Sequence, residues 1–143
     1  MIFMRSVRRR VGFRRRDGVI AVVTAGLSVL MKDPVHLDVG TAGLTVLSRV
    51  GPDSSRVIVC GEVDVATAAA LRHVIDHVLA SGPPRMDADV AAMAFIDAAG
   101  IRVFESAGQR CRLRGGRLRL EQPSAQLRRL LAMVGCANLL LGE

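Results

Sequence analysis

The sequence has no tryptophan and no tyrosine, and only four phenylalanines in 143 residues. Phe3 and Phe13 lie in an arginine-rich head, which leaves Phe95 and Phe104 for the rest of the chain. A platform that stacks the bases of single strands needs more aromatic faces, so such a binder fits poorly. Lysine is almost missing too: Lys32 stands alone beside nineteen arginines. Cysteine is scarce and odd in number. Cys60, Cys111 and Cys136 have no metal-type pair spacing, which speaks against a zinc framework or a disulfide scaffold and fits a reducing compartment. The apolar stretch from Gly18 to Met31 has fourteen residues, short of the roughly 20 that span a bilayer.

What is present is enough apolar material for one core. Half the chain is apolar, which excludes a disordered or collagen-like chain, and the length suits one domain. The net charge of +7 belongs to the head. Residues 1–32 carry seven arginines, Lys32 and only Asp17, whereas residues 33–143 balance twelve arginines against twelve acids. The basic balance therefore does not mark the domain as a nucleic-acid binder. A basic run before an apolar one has the form of a secretory signal, but no A-x-A-like site closes it. The more economical division is a dispensable N-terminal extension over 1–30, arising from an upstream start codon, and a neutral domain over 31–143.

Leu44–Val50 reads as a short strand and Arg56–Cys60 as a dense β-branched one, with a Gly51-Pro52-Asp53-Ser54 turn between them. Leu71, Val74, Ile75, Val78 and Leu79 form one helical stripe, stopped by Gly82-Pro83-Pro84. Met86, Ala88 and Val90 alternate with Asp87 and Asp89 as on a half-buried strand. From Ile101, apolar and small residues recur at helical spacing through Phe104, Ala107, Gly108 and Cys111, and Asp97 stands where the N-cap belongs. Arg117–Glu121 alternates as a strand. Pro123-Ser124 opens a last helix with Leu127, Leu130, Leu131 and Val134 inward and Gly135 beyond. The order β-β-α-β-α-β-α predicts an α/β domain with parallel strand pairs.

Several side-chain groups carry candidate chemistry. Asp87 and Asp89 on one strand have the look of an aspartate nucleophile, but that chemistry wants a lysine to hold the phosphoryl group, and none follows Lys32. Outward strand carboxylates are the simpler reading. His73 and His77 are four residues apart, a zinc-compatible spacing, yet they fall off the buried stripe and lack a third ligand. Arg110, Arg112, Arg114, Arg117 and Arg119 gather near the end of one helix, where cations are favourable with or without a phosphate. Cys60 and Cys111 both read as core positions. No nucleophile–histidine pair is indicated.

Three stretches, taken together and in order, resemble the STAS domain of bacterial anti-sigma factor antagonists. They are Gly61-Glu62-Val63-Asp64-Val65-Ala66-Thr67, then Phe95-Ile96-Asp97-Ala98-Ala99-Gly100, then Gly115-Gly116-Arg117-Leu118 leading through Pro123 to Leu130-Leu131. The resemblance covers about residues 40–136. It implies a mixed β-sheet packed against helices, a cytoplasmic location, a part in stress-type transcription regulation, no catalysis, no cofactor and no metal. It implies as partner an anti-sigma factor of serine-kinase type, with no direct contact to nucleic acid or membrane.

In that family the residue after the loop aspartate is the phosphorylated serine. Here it is Ala98, followed by Ala99, so the resemblance implies no phosphorylation at this position. The expected contact surface is the 93–100 loop, the start of the following helix and the neighbouring 62–67 loop, with Asp64, Thr67, Met93, Asp97, Ala98, Ala99, Gly100 and Ile101 as its named residues. The alternative is a STAS-like module that binds a small ligand or nucleotide, or serves as a scaffold.

Overall fold

A computed structural model describes residues 20–24, 27–31 and 43–141. Seven strands form one mixed sheet: β1 (Ile20–Thr24), β2 (Leu27–Met31), β3 (Leu44–Arg49), β4 (Ser55–Val63), β5 (Arg85–Asp89), β6 (Met93–Ile96) and β7 (Arg117–Glu121). Four helices accompany it: α1 (Ala68–Ser81), α2 (Ala98–Leu113), α3 (Ala125–Met133) and α4 (Asn138–Leu141). The sheet order is β2-β1-β3-β4-β5-β7, with β6 beside the far end of β4. β1, β2, β3 and β4 pair antiparallel, whereas β4–β5, β4–β6 and β5–β7 are parallel. Parallel neighbours need a crossover, and α1 and α2 supply those into β5 and β7.

The α/β class and the mixed sheet against helices are as expected. Three strands go beyond the sequence reading. β1 and all of β2 but Met31 lie within the stretch set apart as an extension, yet β1 pairs with β3 along its length. β6 falls in what read as a loop leading into a helix. The remaining parts of the extension, residues 1–19 and 25–26, and the segment 32–42 lie outside the described residues.

One face of the sheet holds the core. Val57 and Val59, Met86 and Ala88, and Leu118 and Leu120 meet the apolar stripe of α1 and the buried side of α2, where Ile101, Val103, Phe104, Ala107 and Cys111 lie. The α1 stripe is the one read from the sequence: Leu71, Val74, Ile75, Val78 and Leu79 are all buried. In α3, Leu127 and Leu131 face inward as expected, but Val134 is 51% exposed. It lies past the last helical turn, where Gly135 at φ 77° ends the helix and the Cys136 N–H reaches back to Leu131 O (2.8 Å).

The device that positions β6 is Gly61. Its φ of 96° needs a residue without Cβ, and an added Cβ would sit 1.9 Å from Gly43 O. The register of β4 against β6 shifts between Gly61 and Glu62. This irregularity redirects the end of β4 from β5 to β6 and carries Val63 to the head of α2.

Candidate functional site

β6 ends at Ile96, and Asp97 turns the chain into α2. The Asp97 N–H bonds Val63 O (3.1 Å), which ties the turn to β4. Its carboxylate oxygen Oδ1 accepts from Ala99 N–H (2.9 Å) and Gly100 N–H (3.2 Å), filling two of the free donors of the first turn. Ala98, the first helical residue, is exposed, and Ala99 is half-buried. The head of α2 thus opens to solvent on a methyl group, with no hydroxyl at either position.

Directly after β4 comes a second turn. Asp64 Oδ1 accepts from Ala66 N–H (2.9 Å) and Thr67 N–H (3.0 Å), and Asp64 O accepts from Ala68 N–H (2.8 Å). Thr67 Oγ1 accepts from Asp64 N–H (2.9 Å) and lies 2.9 Å from Glu62 O, to which it donates. Both polar side chains are thus engaged in holding the entrance to α1. They leave Val65 at the tip, 81% exposed.

Of the eight residues expected at a contact surface, six frame this region: Asp64, Thr67, Met93, Asp97, Ala98 and Ala99. Gly100 and Ile101 lie beneath it. Ile101 is 4% exposed, and a Cβ on Gly100 would run into Val63 and Ile96. Two residues that lie in the 62–67 and 93–100 loops of the expected surface, but that the sequence reading did not single out, stand out on it: Val65 and Phe95, the latter 52% exposed. Nothing in periodicity marks an apolar residue as exposed; the sequence cue is that Val65 follows the turn-forming Asp64 and that Phe95 stands two residues before Asp97. Phe95, Met93 and Ile96 flank a shallow groove whose other wall is α3, with Ser124, Gln126, Leu127 and Leu130.

The other candidate groups resolve into structure. Asp87 and Asp89 sit on the sheet face opposite the core, in a chain of ion pairs with three arginines. Arg56 bridges Asp89 (3.0 Å) and Glu121 (2.8 Å), and Arg119 joins Glu121 (2.9 Å) to Asp87 (3.4 Å). Arg117 ends the chain on Asp87 (3.3 Å). Three cations meet three carboxylates, and Asp89, only 2% exposed, also accepts from Ala91 N–H (3.0 Å). A buried carboxylate so held is a structural element.

The arginines at the end of α2 are engaged too. Arg110 pairs with Asp76, and Arg114 donates to Leu79 O (2.8 Å) and Gly82 O (3.4 Å), capping the carbonyl end of α1. His73 and His77 are exposed on α1, off its buried stripe. Cys60 and Cys111 are free and buried on opposite faces of the sheet. Burial, with Asp89 nearby, pushes the Cys60 thiol up to about 12, and burial raises Cys111 as well. Neither is set up as a reactive thiolate.

A family model described as Mlab, STAS domain, matches residues 46–142. The chain belongs to the STAS domain family. No curated protein sequence matches it significantly. Among solved structures, this STAS domain is similar to an anti-sigma factor antagonist from Mycobacterium paratuberculosis. The identity is 28% and the TM-score 0.55, over 64% of this chain and 78% of that one. It is also similar to the anti-sigma factor antagonist SpoIIAA in its unphosphorylated form, at 18% identity and a TM-score of 0.58, over 67% of this chain and 84% of that one. The second likeness is one of fold. The match begins after β1 and β2, so the hairpin lies outside the part shared with the family. Among the described residues no helix is long and apolar enough to cross a membrane.

Proposed function

We propose that this STAS domain is an anti-sigma factor antagonist, working in the cytoplasm by occupying an anti-sigma factor of serine-kinase type rather than by transforming a molecule. The docking face is the head of α2 with its neighbours: Ala98 and Ala99, the Asp64–Thr67 turn with Val65 at its tip, and Met93 and Phe95 on β6. Asp97, Asp64 and Thr67 hold this face in shape, while Val65, Phe95 and Ala98 offer the exposed apolar contact.

The observation that carries this reading is the exposed Ala98 at a capped helix head. A phosphoserine there would add about −1.5 to −2 charge at the centre of the face. The amides of the helix would tolerate it in the free domain, but an approaching partner would have to desolvate it beside Asp97. With alanine the face stays permanently in the uncharged state, so binding is constitutive or answers to a signal other than phosphorylation at 98.

The test is affinity capture on the immobilised full chain from lysate of its native cell, with identification of retained proteins by mass. The expected result is an anti-sigma factor, retained by the wild type and lost with Ala98→Glu. Enrichment of no anti-sigma factor would overturn the proposal.

A further inference from the structure

The helices account for the burial of one face of the sheet only. On the other face, Thr45 and Leu47 of β3 stand opposite Cys60 and Ile58 of β4. All four are buried, Thr45 and Cys60 completely. Yet every helix contributes to a single cluster with Val46, Val57 and Val59 on the core face, and none of these four residues joins it. Further along the same outer face, over β5 and β7, the ion-pair chain is open, and its arginines are 36–41% exposed. A sheet face with nothing on it is wet, so more of the chain lies over β3 and β4.

The connection from β2 to β3 is placed to form that layer. β2 and β3 flank β1 and are each antiparallel to it, so they run parallel to one another. Parallel strands are joined by a crossover of about a dozen residues over one face, and residues 32–43 separate Met31 from Leu44. Over β1 and β3 the core face is taken by α1. Handedness points the same way. β3 lies on the same side of β2 as β5 does of β4, but β2 and β3 run opposite to β4 and β5. The usual right-handed sense, which carries β4 through α1 on the core face to β5, therefore carries β2 to β3 across the opposite face.

Reach and pattern agree. A dozen extended residues span about 40 Å, against roughly 20 Å along the strands and 10 Å across two strand spacings. Val35, Leu37 and Val39 alternate with His36 and Asp38, as in an extended chain with one apolar side. Residues 1–19 carry seven arginines and suit an apolar face less well.

We propose that residues 32–42 cross the back of the sheet in extended form and cover β3 and β4, with Val35, Leu37 and Val39 against Leu47, Ile58 and Cys60. The β1–β2 hairpin is then built into the domain by the chain that follows it, and this part of the sheet's back is unavailable to a partner. This packing is independent of the docking face proposed above.

Nuclear Overhauser contacts between methyl groups of the full chain test it without any substitution. Methyls of Val35, Leu37 or Val39 should contact those of Leu47 or Ile58. Contacts from residues 1–19 in their place, or none from 35–39, would overturn the proposal. Thiol labelling, with each cysteine followed by peptide mass, is the second readout. Leu37→Asp should speed labelling of Cys60 about tenfold or more while Cys111, on the helix side, stays as slow as in the wild type. Val11→Asp should change neither. Equal protection of Cys60 in the wild type and Leu37→Asp, or its loss in Val11→Asp, would also overturn the proposal. If Leu37→Asp loosens the whole fold, so that Cys60 and Cys111 speed up together, the methyl contacts decide alone.

Discussion

Replacing Gly100 by alanine probes how tightly the head of α2 is fitted to the sheet. Gly100 is the third residue of α2, and a Cβ there would lie 2.6 Å from Val63 Cγ1, 2.7 Å from Ile96 Cγ1 and 3.1 Å from Ile96 Cδ1. Neither neighbour is a flexible tip. Val63 is fully buried, and Ile96 ends β6 immediately before the capping aspartate. Overpacking of this kind costs about 1–3 kcal/mol. Alanine's helix propensity offsets at most about 1 kcal/mol, and less in a first turn. The net is a destabilisation of about 1–2 kcal/mol, or a Tm lower by roughly 5–15 °C for a domain of this size. Thermal unfolding followed by circular dichroism measures it. An unchanged or raised Tm would mean that the helix head rides freely over Val63 and Ile96, and the argument that a rigid seat presents Ala98 would fail.

Two further predictions concern the opposite face of the sheet. Arg56→Ala leaves Asp89 buried with only the Ala91 N–H. Breaking a buried pair costs about 3–5 kcal/mol, and the 40% exposure of Arg56 lowers this to about 2 kcal/mol. Urea unfolding should show that loss, and a change under about 0.5 kcal/mol would contradict the network's role. Cys60 sets a pH dependence. Its thiol stands near 12 in the folded chain against 9.0 as the ordinary value, so the unfolded chain gives up the proton first. Stability from this group is complete below pH 9 and is lost as pH rises toward 12, by about 2 kcal/mol at pH 10.5. The chain has no tyrosine and a single lysine to obscure that window, and the thiols of Cys111 and Cys136, also raised by burial, are common to the wild type and the variant. Urea midpoints at pH 8 and 10.5 should fall further for the wild type than for Cys60→Ala, and equal falls would refute the assignment.

Most of the fold was legible because each level of the sequence agreed with the next. The α1 stripe, the Asp97 cap, the helix start at Pro123-Ser124 and the Gly135 stop all combine a local backbone rule with an apolar period, and all stand where read. β6 was hidden because Met93–Ile96 is four residues without alternation or a flanking glycine or proline. β1 and β2 were hidden for another reason: a continuous apolar run has no period to distinguish strand from leader. At the site, Asp64 and Asp97 could be found because short polar side chains before helices have few other uses. Gly100 and Ile101 went to the surface in the reading because they adjoin Ala98 in sequence, while helical geometry turns them under it. Val65 and Phe95 lie in the loops read as the surface but were not singled out, since apolar residues are expected inside and only the fold shows one left out.

The central claim is that an uncharged, solvent-facing helix head is a docking face and not a structural convenience. Calorimetric titration of the captured anti-sigma factor into the wild type and into Ala98→Glu tests it most directly, with the Tm of each protein measured beside it. Charge at this position should weaken binding about 100-fold or more, through desolvation and repulsion across the interface. The same charge at the start of α2 should leave the fold as stable or up to about 1 kcal/mol more so. Equal affinity of the two proteins, with both folded, would contradict the account.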